Sequence, residues 1–381
     1  MKGSNDDRLE AVRRPRLLIL VWVVLAVLAS ACATAQPAAA PDDAAPAEEQ
    51  AEEPAPTADD PTPTDTASDS GDPSGPVTVY SGRSEELVGP ILEQFTADTG
   101  IEVEVRYGDT AEMAATILEE GENSPADLYF GQDAGALGAL ASEGRLIELP
   151  ADILERVEGR FRAQDGAWVG ITGRARVLAY NTEAVSEEEL PSSVLDLTDE
   201  RWRGRVSWAP TNGSLQSFVT AMRVTLGDDA TRDWLEGMIA NDVQVFENNA
   251  AQVEAAGRGE VDIALVNHYY LYRFLAEDPD FPVENHYLTE GDIGALVNVA
   301  GAGVLDTADS AEGALELIRY LLSDSGQAYF AAEVYEHPLV PGVEADPRLP
   351  AIEDISTPDI DLSDLEDLEA TLELLRSVGA L

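Results

Sequence analysis

The chain predicts an α/β protein of two lobes, a clamshell joined by extended crossovers. Two observations lead there. Short apolar runs alternate with helical patterns in two separate series, and a long extended segment follows each series. In the first series Val77-Thr78-Val79-Tyr80-Ser81 reads as a strand. Ser84 then stands where it could cap a helix with Leu87, Ile91, Leu92 and Phe95 on one face, ended by Gly100. Ile101–Val105 is the next strand, a helix runs from about Ala111 to Glu119, and Asp127–Phe130 is a third strand. Gln132-Asp133 opens another helix, closed by Gly144. This order predicts a parallel sheet covered on both faces, with ligands at the carboxyl ends of its strands. Trp168 to Asn181 is extended and crosses to the second series. That series comprises strand Val206–Trp208, a helix after Asn212-Gly213-Ser214, strand Val243–Phe246, a helix from about Asn249, strand Ile263–Val266 and a helix from Tyr269. Asp292 to Leu305 is extended again and returns the chain. Residues 76–175 with about 300–381 then form the first lobe, and 176–299 the second. No repeat suggests a solenoid.

Ahead of the body, Arg13, Arg14 and Arg16 flank the continuous apolar run Leu17 to Leu28, and Ala29-Ser30-Ala31 precede Cys32. Residues 1–32 read as an export leader. Cys32 is the single cysteine, so it forms no intramolecular disulfide and builds no metal cluster. Its position resembles the lipobox of bacterial lipoproteins, with the leucine one place further upstream than usual. A lipidated Cys32 and an uncleaved transmembrane anchor both remain open; either holds the body at the outer face of a membrane. Residues 33–75 are mostly Ala, Pro, Thr, Asp and Glu without aromatic or basic residues, and such a segment cannot bury enough surface to fold. It reads as an acidic, extended tether.

The formal net charge is −50. The tether holds eleven acids and no base and the leader a surplus of two bases, which leaves −41 on the body. Nucleic acid and anionic membranes are poor partners for that surface. The only lysine is Lys2, and a carboxylate-rich, lysine-free surface reads as an adaptation to salty surroundings.

The informative motif is Asn267-His268-Tyr269-Tyr270, directly after the apolar run Val261–Val266. It puts two phenol oxygens where a strand gives way to a helix, the usual mouth of an α/β cleft. Phenols ionise near ~10 and are poor ligands for most ions. A strong Lewis acid such as Fe(III) displaces the proton, as a bound metal deprotonates a thiol or water. The alternative is a pair of amphipathic wall residues. His268 is expected to point aside if both tyrosines face inward. His286 and His337 have no partners at metal-ligand spacing and read as surface or capping residues, Tyr80 as core, and Tyr272 as helix surface. There is no Gly-x-Ser-x-Gly elbow, His-Glu-x-x-His pair or phosphate-binding glycine loop, so nothing points to an enzyme.

This element order, with Val-Tyr-Ser-Gly-Arg at 79–83, Ser-Pro-Ala-Asp-Leu-Tyr at 124–129, Gly-Arg-Ala-Arg-Val at 173–177 and Asn-His-Tyr-Tyr at 267–270, resembles the bacterial periplasmic ferric-ion-binding proteins. Those are substrate receptors of ABC-type iron importers with the type II periplasmic-binding-protein fold. The resemblance runs from about residue 77 to 345. It implies that Tyr269 and Tyr270 coordinate Fe(III). Other ligand positions of the family fall on Ser84, Gln132 and Ser214, which depart from its His, Glu and Tyr and are at most weak ligands. Two phenolates offer −2 to a +3 ion, so the resemblance implies a synergistic anion, carbonate or phosphate. Its cradle would comprise Asn212, Gly213, Asn249 and Asn267, with Asp133 where the family has glutamine, and Arg83 and Arg174 adding charge. Asn212 also reads as a helix cap or turn residue, and Asn249 as a helix start. The expected protein is a monomeric, lipid-anchored receptor that delivers iron to a permease. The alternative is a receptor of the same fold for an oxyanion, a polyamine, thiamine or a metal chelate.

Overall fold

The computed structural model describes residues 75–381. The leader, Cys32 and nearly all of the tether lie outside the described residues. In chain order the elements are β1 (Val77–Ser81), α1 (Glu85–Thr99), β2 (Val103–Tyr107), α2 (Thr110–Glu120), β3 (Leu128–Gly131), α3 (Ala134–Ser142), α4 (Ala151–Leu154) and β4 (Val169–Asn181). There follow β5 (Val206–Trp208), α5 (Gly213–Leu226), α6 (Asp228–Ala240), β6 (Gln244–Val245), α7 (Asn249–Gly257), β7 (Ile263–Asn267), α8 (Tyr269–Glu277) and β8 (Val283–His286). The last are β9 (Val297–Val304), α9 (Ala311–Leu321), α10 (Asp324–Tyr329), β10 (His337–Pro338) and α11 (Leu368–Val378).

Local sequence explains much of this. Helix α1 buries Leu87, Val88, Ile91, Leu92 and Phe95 and stops at Gly100, whose φ of 78° is left-handed and whose N–H donates to Thr96 O. Asp133 caps α3 by accepting from Ala136 N, and Asn212 caps α5 by accepting from Ser214 N. Ser84 occupies the N-cap position of α1 without a side-chain capping bond.

The sheet runs β2-β1-β3-β9-β4-β7-β5-β6, with β8 and β10 also paired to β4. A purely parallel sheet was expected, and this one is mixed. β1 is parallel to β2 and β3, and β5 to β6 and β7, but β9 and β4 run antiparallel to their neighbours. The crossovers are themselves strands. As they carry the chain between lobes they enter the sheets against the direction of the parallel strands. Every residue of β4 is buried. It pairs with β9 up to Ala175 and with β7 from Arg176, so one continuous strand serves both lobes. Beside it Asn298 of β9 accepts from Ala134 N at 3.1 Å and donates to Ser217 Oγ at 2.7 Å, tying the starts of α3 and α5 to the crossover.

The segment grouped above with the first lobe divides. Helix α9 packs on β1 and β9, whereas α11 lies on α5 and α6. There the Thr220 and Thr371 hydroxyls are 2.8 Å apart, and Arg223 Nη1 donates to Asp367 O and Thr371 Oγ1, each at 3.0 Å. No helix among the described residues is long and apolar enough to cross a membrane.

Candidate metal centre

Strand β7 is buried throughout, and one residue after it α8 begins with Tyr269 and Tyr270. Their rings stack, centroids 4.3 Å apart and planes at 29°. Tyr269 is 0% exposed and its Oη has no hydrogen-bond partner. Tyr270 is 8% exposed and lines a cleft of about 440 Å³ together with Arg83, Ser84, Gln132, Asn212 and Arg273. Gln132 Nε2 donates to Tyr270 Oη at 3.4 Å. Burial, and then the Tyr269 phenol, push the Tyr270 phenol well above its ordinary range, while Arg83 and Arg174 pull the other way. Without a cation, then, the Tyr270 phenol keeps its proton at neutral pH. Only a ligand strong enough to displace that proton converts it to a phenolate.

Three arginines stand around the pair. Arg83 Nη2 donates to Glu336 Oε1 at 2.8 Å, and Thr172 Oγ1 donates to Glu336 Oε2 at 2.6 Å, all buried. The Arg83 guanidinium lies 5.8 Å from the Tyr269 ring centroid, and its Nε and Nη1 have no partner. Arg174 donates from Nη2 to Val299 O at 3.1 Å and leaves its Nε and Nη1 unpartnered. Arg176, two residues on and therefore on the same face of β4, donates to Ser214 Oγ at 3.2 Å and Leu265 O at 2.9 Å. Burial, with the Arg174 charge adding, pulls Arg176 down to about 9; both tyrosines oppose this. Buried N–H donors in this number suit an oxyanion.

Of the other expected site residues, Ser84 is exposed at the cleft mouth, and Ser214 has turned inward. The Ser214 hydroxyl donates to Asn212 Oδ1 at 2.5 Å and accepts from Arg176. Asn249 Nδ2 also donates to Asn212 Oδ1, at 3.2 Å. Asn212 is therefore both a helix cap and the centre of a polar cluster, next to the first α5 residue, Gly213. Asn267 Nδ2 is buried and unpartnered. Asp133 is 2% exposed, and its Oδ2 is unpartnered as well. Burial pushes its carboxyl up to about 6, with Arg174 and the α3 amides acting in the opposite sense.

His268 does point aside. Its Nε2 donates to Tyr335 O at 2.9 Å and its Nδ1 accepts from Ala175 N at 3.1 Å, so both nitrogens are engaged on a neutral ring. His337 is buried against it at 4.8 Å and Tyr272 is 7% exposed; neither is the surface residue expected. Tyr335 and Arg348 cover Tyr272, and the same 335–348 segment carries His337 onto His268, which local periodicity does not reveal. Tyr335, at φ 60° in the left-handed region, ends a π-helical turn over Phe330–Val334. That turn aims the Tyr335 carbonyl at His268 and brings Glu336 under Arg83. Such turns and strained residues concentrate at functional sites.

Arg176 and Glu336 escaped the sequence reading. Arg176 carried a usable signal, since two arginines at i and i+2 in a buried strand must face the same interior. Glu336 carried none, being 253 residues from Arg83. Among the described residues no group of three or more His, Cys, Asp or Glu could hold a metal ion.

Residues 123–363 match the bacterial extracellular solute-binding protein family. The chain is similar to the major ferric iron-binding protein of Neisseria meningitidis, 31% identical over 80% of this chain and 92% of that protein. It is 37% identical to iron uptake protein A1 of Synechocystis over 70% of this chain and 76% of the other. The crystal structure of iron-bound HitA from Pseudomonas aeruginosa superposes with a TM-score of 0.77 at 36% identity, covering 80% of this chain and 99% of that one. The stacked tyrosines at a cleft between two lobes sit within that likeness, and the chain belongs to the bacterial extracellular solute-binding proteins, among the periplasmic ferric-ion-binding members of that family.

Proposed function

We propose that this chain captures Fe(III) on Tyr269 and Tyr270, completes the ion's shell with a small oxyanion such as carbonate or phosphate, and delivers it to an ABC importer. The observation that carries this reading is the buried, stacked phenol pair with an unpartnered Tyr269 oxygen, set among guanidiniums with free N–H groups. A relative named for ferric iron and a neighbour solved with iron favour that cargo over an oxyanion, a polyamine, thiamine or a chelate alone. Two phenolates leave a +3 ion undercharged and undercoordinated, and the free donors of Arg83, Arg174 and Asn267 suit an anion that supplies both. The β7–α8 side contributes the tyrosines and, with β5–α5 and α7, the Asn212, Gly213, Asn249 and Asn267 cluster. The β1–α1 and β3–α3 side contributes Arg83, Ser84, Gln132 and Asp133. Because the complete set exists only when the sides meet, cargo shifts the population toward the closed form that a permease recognises.

The rest of the reading comes from the sequence and from the resemblance. The receptor is a monomer, catalyses no reaction, and is tethered through residues 33–75 to a lipid on Cys32 at the outer face of the cell membrane. The test of the site is the visible spectrum on adding Fe(III) with and without carbonate. An iron-phenolate band that needs the anion supports the reading, and equal iron affinity after every anion is stripped overturns the anion's part in it.

Across the cleft mouth Arg273 Nη2 of α8 donates to Glu86 Oε2 of α1 at 2.9 Å. Glu86 is largely exposed, so the pair is worth about 0.2–1 kcal/mol. Glu86→Gln is therefore expected to speed chelator-driven iron release by up to about fivefold at low salt. The swap of Glu86→Arg with Arg273→Glu should restore the slower rate. Stopped-flow loss of the visible band in low and high salt checks this.

A further inference from the structure

Asp133 has one oxygen spent and one free. Oδ1 accepts from Ala136 N at 3.1 Å as the cap of α3. Oδ2 is buried without a partner. It faces the start of α5 on the opposite side of the cleft, where a Cβ built on Gly213 would stand 2.8 Å from it. The free oxygen thus lies where the first turns of two helices meet, beside the Asn212 and Gly213 positions read above as an anion cradle. A buried acceptor left unpaired is costly, so the loaded protein is expected to supply it with a donor. An ionised carboxylate only accepts hydrogen bonds. The partner that suits both the cradle's donors and this acceptor is an oxyanion that carries its own O–H.

We propose that Asp133 makes the anion subsite select a protonated oxyanion, bicarbonate or hydrogen phosphate, and reject a fully deprotonated one such as sulfate. The anion's O–H donates to Asp133 Oδ2 in a short, charge-assisted bond, and its remaining oxygens accept from the arginine and asparagine N–H groups. Sulfate offers no hydrogen and sets oxygen against oxygen, like charge against like. A glutamine at this position could turn either its oxygen or its amide nitrogen to the ligand and would not discriminate. The inference rests on the ferric reading and refines which anion completes the shell.

The test uses metal-free protein in carbonate-free buffer at about pH 8, above the carboxyl range. Ferrous chloride is added and oxidised by air in the presence of bicarbonate, phosphate or sulfate, and the anion concentration giving half the visible band is read for each. In the unmodified protein, bicarbonate and phosphate are expected to support the band, with sulfate at least about a hundredfold weaker, a difference typical of a site built around one polar hydrogen. Asp133→Asn is expected to bring sulfate to within about threefold of phosphate, because an amide N–H can meet a bare oxygen. Sulfate working as well as phosphate in the unmodified protein overturns the proposal while leaving the ferric reading intact, and does not depend on any variant folding. An unchanged preference in a folded Asp133→Asn variant overturns it too. No band with any anion overturns the ferric reading and this proposal with it.

Discussion

Replacing either Tyr269 or Tyr270 by phenylalanine is expected to abolish most of the iron-phenolate absorbance and weaken iron binding by at least a hundredfold. Outer-shell substitutions at metal sites already cost about 10–100-fold, and here one of two protein phenolates is lost. The ring stack survives the change, since only an oxygen is removed from rings 4.3 Å apart. In the metal-free protein Tyr269 Oη satisfies no partner, so Tyr269→Phe should leave stability unchanged or slightly raised. That combination separates a ligand from a packing residue. Titration against a competing chelator, together with thermal unfolding of the metal-free variants, measures both halves. A Tyr269→Phe protein that keeps its colour and iron affinity would remove the basis of the ferric reading.

The second large effect concerns stability. Breaking the fully buried Arg83–Glu336 pair by Glu336→Ala is expected to cost about 3–5 kcal/mol of unfolding free energy, because Arg83 is left as an uncompensated buried charge. Thr172 Oγ1 loses its acceptor as well. Replacing both members, Arg83→Met with Glu336→Leu, should recover much of that loss, since a buried ion pair adds little over well-packed apolar groups. The double variant should still bind anion and iron less well, because the free Arg83 nitrogens beside Tyr269 are gone. Urea unfolding of the four proteins gives the coupling directly. Near-equal stability of Glu336→Ala and the unmodified protein would show that the pair is not sealed from water.

How far each residue could be read depended on how local its cause is. Asp133 and Asn212 were legible because capping involves residues two or three positions away. The Tyr269-Tyr270 pair was legible because a buried strand ending at Asn267 leaves only one place for the next two side chains, the sheet's carboxyl edge. Helix α6 was overlooked although Thr231, Trp234, Leu235 and Met238 mark its buried face. The crossovers were read as extended, but their direction in the sheet was not, because pairing is chosen by neighbours far along the chain. The same holds for Ser214 of helix α5, whose hydroxyl is claimed by Arg176 of strand β4, 38 residues away.

By itself, then, the sequence determined the two α/β series, the extended crossovers and the phenol pair at a strand-to-helix junction, all products of hydrophobic period and short-range hydrogen bonding. Only the tertiary structure decided that three guanidiniums surround that pair, that Glu336 anchors one of them, and that α11 rests on the second series. Those facts depend on groups tens to hundreds of residues apart sharing one dry interior, where an unpaired charge or hydrogen-bonding atom is costly enough to dictate what stands beside it.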